Sequence, residues 1–187
     1  IELKYMTARE EDILTSQNLI QKGVVLDRLL QALIVTPCSY DDILIGDKNA
    51  IMVAARVMGY GSEYKVEIED PYTPGEKQDT IIDLQSLEDS EIDWDLVGEE
   101  NAFDFELPTA KRNVTFKLLT HGDEGKIAEE VKAMKKNFKN RGYAGVDSQL
   151  STRLKHMIIA VDGDATPKTI REFVDNQFLS RDTRAFR

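Results

Sequence analysis

Apolar residues recur at three- and four-residue intervals at both ends of the chain and at two-residue intervals through its middle. That pattern predicts helices, then strands, then helices again. Thr7 and Glu10 form a capping-box pair in YMTAREEDIL, and the helix they open carries Ile13 and Leu14 inward before Gly23 breaks it. From Val24 a second helix sets Val25, Leu26, Leu29, Leu30, Leu33 and Ile34 on one broad stripe, and Pro37 closes it. Asp47 reads as the N-cap of a third helix running to Gly59, with Ile51, Met52, Ala55 and Met58 as its buried face.

The period then changes. Tyr64, Val66 and Ile68 alternate with Lys65, Glu67 and Glu69, and Thr80, Ile81, Ile82 and Leu84 supply a return strand. DPYTPG at 70–75 has turn composition, so 63–84 reads as a hairpin whose connection is free to touch a partner. In 87–100, Ile92, Trp94 and Leu96 alternate with acids, which fits a short strand or an extended acidic-aromatic segment. Phe103, Phe105 and Leu107 alternate again, as do Val114, Phe116 and Leu118, and PTAKRN joins them as a second antiparallel pair.

Helical spacing returns after residue 120. Asp123 is a candidate N-cap for a helix to about Phe138 bearing Ile127, Val131, Met134 and Phe138, and RGYAG at 141–145 reads as a turn. Leu150 to Val161 reads as a shorter helix, and Thr166-Pro167 opens a last one with Ile170, Phe173, Val174, Phe178 and Leu179. The fold class predicted is α+β: a helical head over 1–60, an acidic antiparallel β module over 61–119, and a helical part over 120–187 that packs with 1–60 as one core.

Charge sharpens this division. The chain of 187 residues has a net charge of −10, spread as −2 over 1–60, −14 over 61–108 and +6 over 109–187. An acidic middle is either a solvated β insert or a docking surface for a basic partner. The overall sign argues against general nucleic-acid binding. Hydrophobic residues at 41% are enough for a core. No apolar run approaches the roughly 20 residues of a membrane span, and no signal peptide is expected, although a chain opening on Ile1 is expected to lack its true N-terminus.

Candidate chemistry adds little. Glu10, Glu11 and Asp12 are consecutive, so on a helix they point in different directions and cap rather than bind metal. Cys38, the single cysteine, excludes an internal disulfide and reads as a semi-buried spectator. GDK at 46–48 lacks the glycines and Lys-Ser/Thr ending of a phosphate loop. His121 and His156 have no local triad partners. Lys132, Lys135, Lys136 and Lys139 form a basic helix face, solvated or partner-binding. No catalytic, cofactor-binding or metal-binding residue and no cofactor is expected. The candidates for partner binding are Trp94 between Asp93 and Asp95, which reads equally as an exposed anchor or as a ring folded back on the hairpin, together with Tyr72, Arg181 and Arg184.

The strings YMTAREEDILTSQNLIQKGVVLDRLLQALIV and LIGDKNAIMVAARVMGYG, with FKLLTHGDE and FVDNQFLSRDTRAFR later, go beyond helix grammar. They resemble the baseplate hub protein family of T-even-like contractile-tailed phages, over nearly the whole chain and least in the acidic middle. The resemblance implies a structural or assembly role by contact with other tail or baseplate hub proteins, and a location in the virion tail, or in host cytoplasm during assembly. It also implies an oligomer within the assembly, no membrane and no nucleic acid, and no chemistry. Some relatives carry a CPxC-like knuckle where this chain has Asp70-Pro71-Tyr72-Thr73, so no zinc ligands carry over. Two other readings stay open at this point: a tail-assembly chaperone absent from the mature particle, and a carboxylate-based hydrolase, for which no two acids are marked as a pair.

Overall fold

The computed structural model describes residues 1–69, 75, 77–88, 100–140 and 148–186, with the side chains of 137–140 excepted. Its elements are α1 (Ala8–Leu14), α2 (Gln17–Gln21), α3 (Val25–Leu33), α4 (Ile45–Tyr60), β1 (Glu63–Glu69), β2 (Lys77–Asp83), β3 (Phe103–Glu106), β4 (Asn113–Phe116), α5 (His121–Asn140), α6 (Gln149–Met157), β5 (Ile158–Val161), α7 (Pro167–Asn176) and α8 (Ser180–Phe186). The α+β class holds, with helices at both ends and antiparallel strands between them.

The chain divides into two compact units, one of residues 1–40 and 46–91, the other of 41–45 and 92–187. The boundaries expected at 60/61 and 119/120 do not match this division. The reason lies in strand pairing: β1 and β2 form a ribbon of their own that belongs with the N-terminal helices, whereas β3 and β4 share a sheet with β5. The acidic middle is thus split between the units.

In the N-terminal unit, the Thr7–Glu10 capping box starts α1. The Thr7 backbone N–H donates to Glu10 Oε2 at 2.9 Å, and Lys4 Nζ donates to Oε1 at 2.8 Å. Glu10 is buried, with both carboxylate oxygens hydrogen-bonded. The preceding chain is tied down by Lys4 N to Leu33 O at 2.9 Å and Val35 N to Glu2 O at 2.9 Å. Gly23, at φ 70°, takes a left-handed conformation that suits glycine and separates α2 from α3. The stripe of α3 buries Leu29, Leu30 and Leu33, each worth roughly 1.5–3 kcal/mol. The helix stops at Leu33, ahead of Pro37, because Ile34 turns extended to bridge Leu3. Asp27 accepts from Lys48 Nζ at 2.6 Å and Tyr40 OH at 3.0 Å, which pins α3 to α4. Asp47 lies in the first turn of α4 rather than at its cap, and Cys38 is exposed rather than semi-buried.

In the C-terminal unit the sheet order is β3-β4-β5, all antiparallel. The run Leu150 to Val161 is not one helix. α6 ends at Met157 and Ile158–Val161 is a strand, since its β-branched residues suit a pleated, packed surface. Asp162 and Gly163, at φ 48° and 83°, turn the chain back beyond it. Leu107, Val114, Leu154, Ile158, Val161 and Phe173 are the centre of the core. The last predicted helix is broken at Gln177, and α8 brings Phe186 edge-on to Phe116 at 5.0 Å and to Phe105 at 5.8 Å. A smaller cluster of Leu119, Ile127 and Val131 lies under α5.

Candidate functional site

Most of the exposed apolar surface belongs to one unit. Among the described residues, eleven of the fourteen exposed large hydrophobics lie in the N-terminal unit, the others being Leu118, Leu150 and Leu179. Among the described residues the N-terminal unit also holds five of the seventeen buried apolar residues: Leu29, Leu30, Leu33, Ile51 and Ala55. Isolated exposed hydrophobics need no explanation, but a contiguous set does.

Three of the eleven, Leu26, Tyr60 and Tyr64, line an apolar groove of about 390 Å³. α3 supplies its floor through Leu29 and Leu30, and Leu26 stands at its mouth, 45% exposed. Met6 and Leu14 line the α1 side, and Met52, Val53 and Ala55 the α4 side. Gly59 leaves room for the Met6 methyl, which a Cβ there would strike. The remaining wall is Tyr60, Tyr64 and Leu84, with the Arg56 guanidinium over the rings of Tyr60 and Tyr64 at 5.2 and 5.8 Å. Arg56 also donates to the carbonyls of Gly61 at 2.9 Å and Glu63 at 3.3 Å, so its donors are directed into the wall.

The groove continues onto the ribbon. Tyr64 pairs with Ile82 and Val66 with Thr80, so Tyr64, Val66, Ile68 and Ile82 share one face, and Leu84 is in phase with Ile82. Tyr64, Ile68 and Ile82 on that face are 44%, 48% and 37% exposed. A two-stranded ribbon is marginal alone, and an uncovered apolar face leaves it more so.

Two electrostatic features border this surface. Tyr60 OH donates to Glu11 Oε1 at 2.6 Å, and that bond raises the phenol's pKa above its ordinary value. Glu10 is held down to about 2, first by the hydrogen bond from Lys4 and then by those from Thr7.

The C-terminal unit has structural pairs instead. Asp182, fully buried, accepts from the backbone N–H of Thr109 at 2.7 Å and Ala110 at 3.0 Å, tying the β3–β4 turn to α8. Arg153 pairs with Glu124, His156 with Glu130 at 3.0 Å, and Lys155 with Asp175 at 2.6 Å. Burial raises the pKa of Asp123, but the hydrogen bonds from Lys117 and Thr120 outweigh it and the net shift is downward. Among the described residues no group of three or more His, Cys, Asp or Glu is placed to hold a metal ion. No helix among them is long and apolar enough to cross a membrane.

Of the residues singled out from sequence, Tyr72, Asp93, Trp94 and Asp95 lie outside the described residues. Arg181 and Arg184 are exposed on α8, and Arg184 lines a depression of about 540 Å³ with Leu150, Ser180 and Thr183. Lys132 and Lys135 border another of about 350 Å³ beside α5. The groove itself was not anticipated. Its signal was the width of the α3 stripe, six apolar positions beside a short α1, together with a half-apolar hairpin that had no cover in the sequence.

Comparison of the chain with protein-family models, with curated proteins and with solved structures found no match.

Proposed function

We propose that this chain is a structural or assembly subunit of a phage contractile tail, acting by protein–protein contact at the baseplate hub. The observation that carries the contact role is the concentration of uncovered apolar surface on the N-terminal unit, centred on the groove and continued on the ribbon. Such contiguous surface is characteristic of interaction sites. What supports the phage setting is the resemblance of the N-terminal strings and of the FKLLTHGDE and FVDNQFLSRDTRAFR segments to hub proteins.

The test is quantitative mass spectrometry of purified particles and of tail intermediates from the same cells. A built-in subunit is expected in both at a constant ratio. Presence in intermediates alone makes the protein a transient chaperone, and absence from both overturns the tail-assembly reading.

A further inference from the structure

We propose that the β1–β2 ribbon pairs with the ribbon of a second copy of this chain, β2 against β2 about a two-fold axis, making a four-stranded antiparallel sheet. Such pairing goes beyond the hub reading and does not rest on it.

Backbone parity identifies the open edge. One step beyond the pair Glu63–Asp83, Ser62 stands opposite Leu84, and Leu84 N donates to Ser62 O at 2.9 Å. Hydrogen-bonded pairs recur at every second residue of an antiparallel ladder. Tyr64–Ile82, Val66–Thr80 and Ile68–Gln78 are therefore the inward pairs. The N–H and C=O groups of the odd-numbered residues of both strands point away from the ribbon. On β1 that edge is capped at its start, where Arg56 donates to Glu63 O at 3.3 Å. On β2 Ser86 Oγ donates to Asp83 O at 2.7 Å, and among the described residues the outward backbone groups of Lys77, Asp79 and Ile81 have no cap. Unpaired edge groups are a template for another strand.

Side chains select the occupant and its register. The odd-numbered residues of the two strands share one face, and all are charged except Ile81, which is 58% exposed. An axis that sets Thr80 opposite Thr80 of the second copy puts Lys77 against Asp83 and Asp79 against Ile81, twice each. No like charges are then opposed, and the two Ile81 side chains become diagonal neighbours across the axis. Moving the strands by two residues opposes Asp79 to Asp79 in one direction and Asp79 to Asp83 in the other, both destabilising. On β1, an axis at Val66 opposes Glu63 to Glu69. β2 in the Thr80 register is thus the edge that charge complementarity favours.

The groups needed are available. Lys77 pairs with Glu67 at 2.8 Å, but both side chains are largely exposed, and such a pair holds a lysine weakly. Asp83 Oδ1 accepts from Gln85 N at 3.0 Å, which leaves Oδ2 for the lysine of the second copy. Two strands alone are marginal, whereas four form a sheet of ordinary size.

The test is sedimentation of the full chain over a range of concentrations, with amide hydrogen exchange on the same samples. A dimer is expected, and the amides of Asp79 and Ile81 should slow as concentration rises while those of Lys65 and Glu67 stay fast. Lys77→Asp and Asp83→Lys should each weaken the dimer about tenfold, and the double variant should recover most of that loss. Ile81→Pro removes an outward N–H and no bond within the ribbon, so it should abolish the dimer. Should that variant disturb the ribbon, the charge swap decides, since Lys77 and Asp83 are both exposed.

A monomer at every concentration would overturn the proposal. So would a dimer that protects Lys65 and Glu67 instead, or one that the double variant fails to restore. A dimer broken by Leu26→Ser but untouched by Ile81→Pro would place the contact at the groove and overturn it as well.

Discussion

The two units use their apolar residues differently. The C-terminal unit buries twelve of the seventeen core residues and leaves three large hydrophobics exposed among those described. It closes its sheet with α6, α7 and the aromatic contacts of Phe186. The N-terminal unit has a thin core under α3 and a wide apolar surface around a groove. The difference teaches that the two halves of one chain need not be complete to the same degree. One is packed as a finished domain is packed, and the other carries surface suited to a partner.

The largest effect that would sharpen this contrast comes from Phe173, 1% exposed and stacked on Phe178 at 5.4 Å with Arg112 over its ring at 5.0 Å. Phe173→Ala should destabilise the C-terminal unit by about 3–5 kcal/mol, the usual range for an aromatic removed from a tight core. Hydrogen exchange should record the loss in β4 and β5. A loss below about 1 kcal/mol would mean that this core is as loosely filled as the N-terminal one.

Next comes Asp182. Its carboxylate satisfies two backbone donors away from water, so Asp182→Ala leaves both without a partner. The expected cost is about 3 kcal/mol, read by urea unfolding. Arg181→Ala and Arg184→Ala, one residue and two residues away but exposed, should change stability by less than about 0.5 kcal/mol. Comparable losses in all three would show that α8 is held by its charged edge rather than by its buried face.

What the sequence made legible follows the same contrast. Local signals were readable: the capping box at Thr7, the Thr166-Pro167 start, and the alternation that fixes both hairpins appear where they were expected. Tertiary choices were not. Ile158 to Val161 fits a helix stripe as well as a strand, and only a vacant edge at β4 decides for the strand. Glu10 reads from the sequence as the capping partner of Thr7, and nothing local says that Lys4 folds back onto it or that it is buried. Arg181 and Arg184 drew notice as charges, while Asp182 between them, which bonds residues more than 70 positions away, carried no local mark. The groove is the sum of four elements, and no one of them contains it.

Acid separates a buried anchor from an exposed one. Glu10 has its pKa held at about 2 against an ordinary 4.5, so the folded state binds the proton more weakly than the unfolded chain. Its contribution is therefore complete above about pH 4.5 and is lost as pH falls toward 2. The stability gap between the wild type and Glu10→Gln should be constant above that window and close within it. Carbon NMR of the Glu10 carboxyl should place its midpoint near 2. A midpoint near 4.5 would show that Lys4 and Thr7 do not hold the charge, and that the N-terminal unit is looser still at its first helix.

The smallest expected effect is the most direct test of the contrast. Leu26 and Leu150 are exposed to nearly the same degree, 45% and 43%. Leu26 borders a groove of apolar side chains, while Leu150 borders a depression shared with Ser180, Thr183 and Arg184. Replacing either by Ser removes the same atoms from a surface site, so each should alter stability by less than about 0.5 kcal/mol. Binding of the dye ANS, which reports contiguous exposed apolar surface, should fall in Leu26→Ser and stay unchanged in Leu150→Ser. Contiguity, not exposure, is then what distinguishes the units, because a dye needs several apolar neighbours while an accessibility value counts residues singly. Equal loss in both variants would break the comparison, since surface of the same quality would then exist on either unit. No loss in Leu26→Ser would locate the dye site away from the groove and remove the main reason for treating that surface as an interface.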